Sequence, residues 1–224
     1  MGGRAEALTQ LARVVLATAR PHPVRVAVDG CSAAGKTTLA DELATVLRAY
    51  TDRTVIRAGI DHFKRPVGRR TAYPEGSPES YYLDYWDHDA IRDQLLVPLG
   101  PGGDRRYRTA VMDLPALNPV DAPVQVAPDD AVLLADGAFL QRPELDPLWD
   151  LRIYVDVSFD EVLRRGVARD QRWAGSAAAA EDRYRTRYIP GERRYLDEVG
   201  PRERADVVVD NENPTAPTLR LRAG

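Results

Sequence analysis

An apolar run from Val24 to Asp29 breaks into the octet Gly30, Cys31, Ser32, Ala33, Ala34, Gly35, Lys36 and Thr37, and an amphipathic stretch carrying Leu39, Leu43 and Leu47 follows. The octet satisfies G-x-x-x-x-G-K-[ST] without a mismatch. Glycines at both ends let the chain wrap tightly, so that successive backbone N–H groups and a helix amino terminus face one anionic group. A second apolar stretch, Thr54 to Ile60, closes on Asp61. Strand, loop, helix and strand in this order make a βαβ unit, and such units build parallel sheets with helices on both faces.

The expected fold is therefore α/β, a P-loop three-layer sandwich with a mainly parallel central sheet. Its 224 residues suffice for one catalytic domain, 1–224. Within it we expect an amino-terminal helix in 1–22, an acceptor-binding insertion over 62–128 and a helical lid region over 165–190. Leu8, Leu11, Val15 and Ala19 recur at helical spacing, which favours a helix on the sheet over a targeting peptide. Arg106 to Met112 and Val124 to Val126 read as short strands of a small antiparallel ribbon. Asp87 is placed to cap a short helix through Ile91, Leu95 and Leu96. Ala131 to Asp136 and Leu151 to Val157 read as buried strands. Ser158 and Glu161 form a capping-box pattern before a helix burying Val162, Leu163 and Val167. A helix bounded by Pro190 and Gly200, a last strand over Val207 to Val209 and an irregular tail after Asn211 complete the reading.

Composition excludes several classes of function. A formal net charge of −3 gives no global attraction to nucleic acid, and no apolar run approaches a bilayer span. A single cysteine, Cys31, excludes an internal disulfide framework and suits a reducing cytoplasm. A homo-oligomer is compatible with the sequence without being specified by it.

Of 31 lysine and arginine residues only those at 36 and 64 are lysine, so the lysine inside the octet is hard to ascribe to chance. Gly30 to Thr37, with Thr38, are the expected nucleotide-binding residues. Lys36 reaches the β and γ phosphates of ATP, and Thr37 offers a hydroxyl to Mg²⁺. Asp136 ends its strand at the carboxyl edge of the sheet, where it is the second candidate metal residue. Asp61 emerges at the same edge and is the candidate base for an attacking hydroxyl. Arg165, Arg169 and Arg172 fall at i, i+4 and i+7, one helical face, and planar guanidiniums suit phosphate oxygens during transfer. No N-K-x-D element for reading guanine is present. These residues predict phosphoryl transfer to a small-molecule acceptor. Cys31 fills space in the loop, and alkylating its thiol is expected to block nucleotide binding.

The chain resembles the uridine kinase family, within the wider group that includes phosphoribulokinase and pantothenate kinase. The resemblance rests on Val26, Asp29 and the octet with its Thr38, Leu39, Ala40 continuation. Asp61, Phe63 and Arg65 match a D-x-F-x-R element. Trp86, Asp87, His88, Asp89 and Ala90 resemble F-D-H-P-D-A without its proline. Arg165, Val167, Arg169 and Asp170 resemble R-R-V-x-R-D, and Ala205, Asp206, Val207 resemble A-D-V. The resemblance implies that Asp61 is the catalytic base, that His88 touches a nucleoside base and that the acceptor is the 5′-hydroxyl of uridine or cytidine. The chain departs from the family at Lys64, where tyrosine is usual, at Asp136, where glutamate is usual, and in a lid that runs into alanines. Pantothenate, a nicotinamide riboside or a sugar are alternative acceptors, and a regulatory nucleotide-binding protein is a rival from another class. Tyr81, Tyr82 and Tyr85, like Tyr184 and Tyr188, either stack on a planar acceptor or pack the fold, with Tyr85 and Arg172 taken as acceptor-binding. Asn211 and Asn213 are candidate borders of the adenine.

Overall fold

The computed structural model of the protein describes residues 3–114 and 118–222. Its centre is a six-stranded sheet whose strands lie in the order Thr218–Leu221, Val207–Asp210, Leu151–Asp156, Val24–Gly30, Val132–Asp136, Val55–Gly59. β1 (Val24–Gly30) is buried along its whole length. It pairs in parallel with β7 (Val132–Asp136) on one side and β8 (Leu151–Asp156) on the other. β2 (Val55–Gly59) extends the parallel set beyond β7, and β9 (Val207–Asp210) extends it beyond β8. Strands this uniformly apolar need cover on both faces, and each fully buried valine or leucine contributes about 1.5–3 kcal/mol to that packing.

One face is covered by α1 (Arg4–Ala17) and α2 (Lys36–Tyr50). α1 buries Leu8, Leu11 and Val15 as their spacing predicts, but it ends at Ala17 and leaves Ala19 exposed beyond it. The other face carries an aromatic-rich cluster that includes Phe63, Tyr81, Trp86 and Phe139. Segments of the insertion supply much of that cluster: α3 (Pro78–Leu83), α4 (His88–Ile91), which Asp87 caps, and the wider turn Arg92–Leu96. Two antiparallel ribbons follow. β3 (Arg106–Tyr107) pairs with β6 (Gln125–Val126), and β4 (Met112–Asp113) pairs with β5 (Asn118–Pro119).

α5 (Phe159–Ala174), α6 (Ala177–Arg183) and the turn Tyr184–Tyr188 form the lid region. They lead into α7 (Ile189–Val199) and α8 (Pro201–Arg204). Ser158 caps α5 by accepting from the Glu161 N–H, but the reciprocal half of the box is not made. Glu212 accepts from the Ser158 N–H instead, leaving Glu161 to pair with Arg164 and Arg165. The tail expected to be irregular forms β10 (Thr218–Leu221), the sheet's antiparallel edge, because Leu219 and its neighbours find open backbone groups on β9.

Candidate active site

Parallel strands put their carboxyl ends on one edge, and there the register brings distant residues together. Asp136 at the end of β7 lies level with Val28 of β1 and Gly59 of β2. From β1 the chain turns into the phosphate loop through Gly30, whose φ of +149° and whose position against Val155 O, 2.4 Å from where a Cβ would stand, exclude any side chain. Gly35 has φ +94°, and Lys36 opens α2. In this conformation Lys36 Nζ donates to Cys31 O at 2.7 Å.

Thr37 Oγ1 donates to Asp136 Oδ2 at 2.5 Å, and Arg57 Nη2 donates to Asp136 Oδ1 at 2.7 Å. A hydroxyl beside a carboxylate at the mouth of the loop is a donor set suited to Mg²⁺, which takes few protein ligands and leaves the rest of its octahedron to phosphate and water. Among the described residues no group of three or more His, Cys, Asp or Glu side chains could hold a metal ion.

These residues line a cavity of about 690 Å³, a size typical of small-molecule sites. Ser32, Ala33, Lys36, Thr37 and Asp136 form one side, and Asp61, in the turn Ile60–Phe63 after β2, forms another. Asp61 is exposed and lies 3.3 Å from Lys64 Nζ. Arg169 reaches the cavity from the lid, held by Asp170 at 2.6 Å. Tyr85 and Tyr188 also line it, beside Trp86 and His62.

A second cavity of about 540 Å³ opens on the other side of the loop, lined by Ala33, Gly35 and Thr38 together with Arg4, Arg165 and Asn211. The lid arginines are thus divided. Arg165 faces this second cavity, its guanidinium fixed by Glu161 and by the carbonyls of Asn211 and Glu212. Arg172, expected beside them, is exposed and lines neither cavity.

Other expected site residues stand elsewhere. His88 lines neither cavity. It sits near Arg142, Glu144 and Arg65, and burial with the Arg142 charge lowers its pKa to about 4. The fold turns the capping end of α4 toward Arg142, so a role for His88 in holding the acceptor has no geometric support. Tyr82 packs against Phe139 and Tyr195, and Tyr184 donates to Asp170 at 2.8 Å; both are packing residues. Asn213 accepts from Thr215, while Asn211, fully enclosed, donates to Ala34 O at 2.7 Å and so braces the phosphate loop. Cys31 is buried, and desolvation with the Glu192 charge drives its thiol pKa well up, which leaves little thiolate to alkylate.

Two carboxylates under the loop were given no role by sequence reasoning, Asp29 entering only as the end of the first apolar run and among the residues of the resemblance, and Glu192 not at all. Glu192 accepts the Ser32 N–H at 2.6 Å and a hydrogen bond from Tyr81 at 3.3 Å, and complete burial raises its pKa. Asp29 accepts from Tyr195 at 2.5 Å and from Gln141 at 3.1 Å, again with a pKa raised by burial. Both anchor α7 and the loop after β7 to the phosphate loop. No local pattern gives their partners, which lie more than 100 residues away in sequence.

No family model matches the chain. It is similar to the uridine kinase of Brevibacillus brevis, 28% identical over 195 residues that cover 84% of this chain and 85% of that one. It is similar also to the uridine kinase of Chlamydia pneumoniae, 27% identical over 82% of this chain and 80% of that one. Among solved structures, that of "a Possible Uridine Kinase from Bacillus stearothermophilus" superposes with a TM-score of 0.72, at 24% identity, over 92% of this chain and 98% of that one. With its phosphate loop and its parallel sheet, the chain has the P-loop α/β fold, and along about four-fifths of its length it is similar to proteins named uridine kinase.

Proposed function

We propose that the protein transfers the γ-phosphoryl group of ATP to a hydroxyl of a small metabolite. One observation carries this reading: the phosphate loop and an exposed carboxylate share a cavity, with Lys36, Thr37 and Asp136 on one side and Asp61 on another. The loop N–H groups and Lys36 hold the donor phosphates, and the second cavity beside Gly35 and Arg165 accommodates the rest of the nucleotide. Mg²⁺, held through Thr37 and Asp136, would neutralise charge on the β and γ oxygens. Asp61 takes the hydroxyl proton as the acceptor oxygen attacks. Arg169, carried on the lid, faces the transferred group and offsets the charge that develops on it. Closure of α5 and α6 over the cavity excludes water, which would otherwise compete as acceptor.

The names of the relatives favour a ribonucleoside acceptor, uridine or cytidine, phosphorylated at its 5′-hydroxyl. The aromatic wall of Tyr81, Tyr85, Trp86 and Tyr188 suits a planar ring. The position of His88 outside the cavity favours the second reading, a kinase for another alcohol. ADP release measured with and without an acceptor panel tests both. Acceptor-dependent turnover is expected, and release that ignores every acceptor, or no release at all, would leave a nucleotide-binding regulator as the better description.

No helix among the described residues is long and apolar enough to cross a membrane. We infer a cytoplasmic site of action from the single, buried thiol.

A further inference from the structure

The acceptor end of the large cavity carries more positive charge than its own carboxylates neutralise. Three carboxylates line the cavity, and each already has a cation: Asp136 has Arg57, Asp170 has Arg169 and Asp61 has Lys64. Lys36 is left over at the phosphate loop, where the donor phosphates require it. Three further cations stand over rings of lining residues: Arg183 lies 4.9 Å from the centre of the Trp173 ring on the lid, and Arg70 and Arg187 share Tyr85. The Arg70 guanidinium lies 4.2 Å from the centre of the Tyr85 ring, and the Arg187 guanidinium lies 5.1 Å from it. Neither is paired with a carboxylate among the described residues; Arg70 spends one N–H on Arg65 O.

Lys64 adds to this group. Its ammonium is only 16% exposed, lies 5.4 Å from the Tyr85 ring centre and faces a single, largely solvated carboxylate, Asp61. Lys64 and Trp86 form an antiparallel bridge, which puts their side chains on the same side of that short ladder, and both line the cavity. The Trp86 indole N–H and the Arg187 Nε–H are buried donors with no hydrogen-bond partner among the described residues. Aromatic rings attract such cations, but they do not cancel charge or satisfy donors as an anion would.

We propose that the acceptor of this kinase carries an anionic group, a carboxylate or a phosphate monoester, besides the hydroxyl that is phosphorylated. Lys64 binds that group directly, and Arg70 and Arg187 supply the field around Tyr85. Its hydroxyl is then presented to Asp61, whose carboxylate lies 3.3 Å from the Lys64 ammonium. This deepens the kinase reading and rests on it. Among the candidate acceptors it separates an acid such as pantothenate from neutral uridine, cytidine and unphosphorylated sugars, and from the cationic nicotinamide riboside.

The test uses the full chain with Mg-ATP, ADP release as readout, and four groups of probes: D-glycerate and pantothenate; ribose 5-phosphate; uridine, cytidine and D-fructose; nicotinamide riboside. The best anionic probe is expected to exceed every neutral one in kcat/KM by ~10-fold or more, the worth of one charge-assisted hydrogen bond. Preference for the acids or for the sugar phosphate then identifies which anion is read. Lys64→Met is expected to lower the kcat/KM ratio of the preferred acceptor to its neutral analogue (the carboxamide, or the sugar without phosphate) by a similar factor, mainly through KM. Lys64→Arg, which keeps the charge, should restore the ratio. Neutral acceptors equal to the anionic ones, a ratio unmoved by Lys64→Met, or no response to any anionic probe while calorimetry still shows Mg-ATP binding would each overturn the assignment and leave the kinase reading standing. Loss of Mg-ATP binding itself would instead sink the kinase reading, and this inference with it.

Discussion

Thr37 and Asp136, 99 positions apart in the chain, meet in a single 2.5 Å hydrogen bond at the carboxyl edge of the sheet. Arg57 holds the other oxygen of the same carboxylate. Changing Asp136→Ala therefore affects two properties. The Mg²⁺ concentration for half-maximal turnover is expected to rise ~10-fold or more, as when a metal site loses an oxygen donor or its support. Stability should fall by about 1–3 kcal/mol, less than for a fully buried pair, because Arg57 keeps Asp41 as a second partner. A magnesium titration and a urea melt measure the two effects, and an unchanged magnesium requirement would remove Asp136 from the metal site.

Asp61→Asn keeps the shape of the cavity wall and removes the proton acceptor. Turnover should drop by ~10²–10⁴-fold, the usual contribution of a general base, with Mg-ATP affinity retained. Single-turnover kinetics beside calorimetry would decide it. Transfer at the wild-type rate would show that the proton leaves by another route.

Gly166 lies on α5 against the Tyr184 ring: a Cβ there would stand 2.1 Å from Tyr184 Cζ. Gly166→Ala is therefore expected to destabilise the chain by about 1–3 kcal/mol, since the buried ring has nowhere to move. Thermal denaturation would register this. A variant as stable as the parent would mean that α5 and the turn after α6 separate more easily than their packing indicates.

Cys31 should resist iodoacetamide at neutral pH with or without ATP, and should react fully only in denaturant. The burial that raises its pKa also blocks access. Mass spectrometry of the labelled chain measures it, and rapid native labelling prevented by ATP would restore the expectation drawn from the loop sequence alone.

His88 is a source of pH dependence. Its pKa falls from an ordinary 6.5 to about 4 in the folded chain, through burial and the nearby Arg142 charge. The unfolded chain thus binds more protons between those values, so stability is lost as pH drops from about 6.5 toward 4 and is flat above. The loss attributable to this group is about 1–3 kcal/mol. Urea melts across that range should show the slope, and His88→Gln should flatten it. An identical slope in the variant would assign it to other groups.

The phosphate loop, β1, β2, β7, β8 and the run of helices were legible because each depends on near neighbours in sequence: glycine at two backbone positions, apolar runs, a Ser cap at 158 and a stop at Gly200. The placement of Asp61 and Asp136 on one edge followed from the parallel topology alone. Tertiary structure decided the rest. It turned His88 and Arg172 away from the cavities, brought Glu192 and Asp29 under the loop, and gathered Lys64, Arg70 and Arg187 around one tyrosine ring. Side-chain direction and long-range pairing depend on how separate segments pack, and no window of neighbouring residues contains that information.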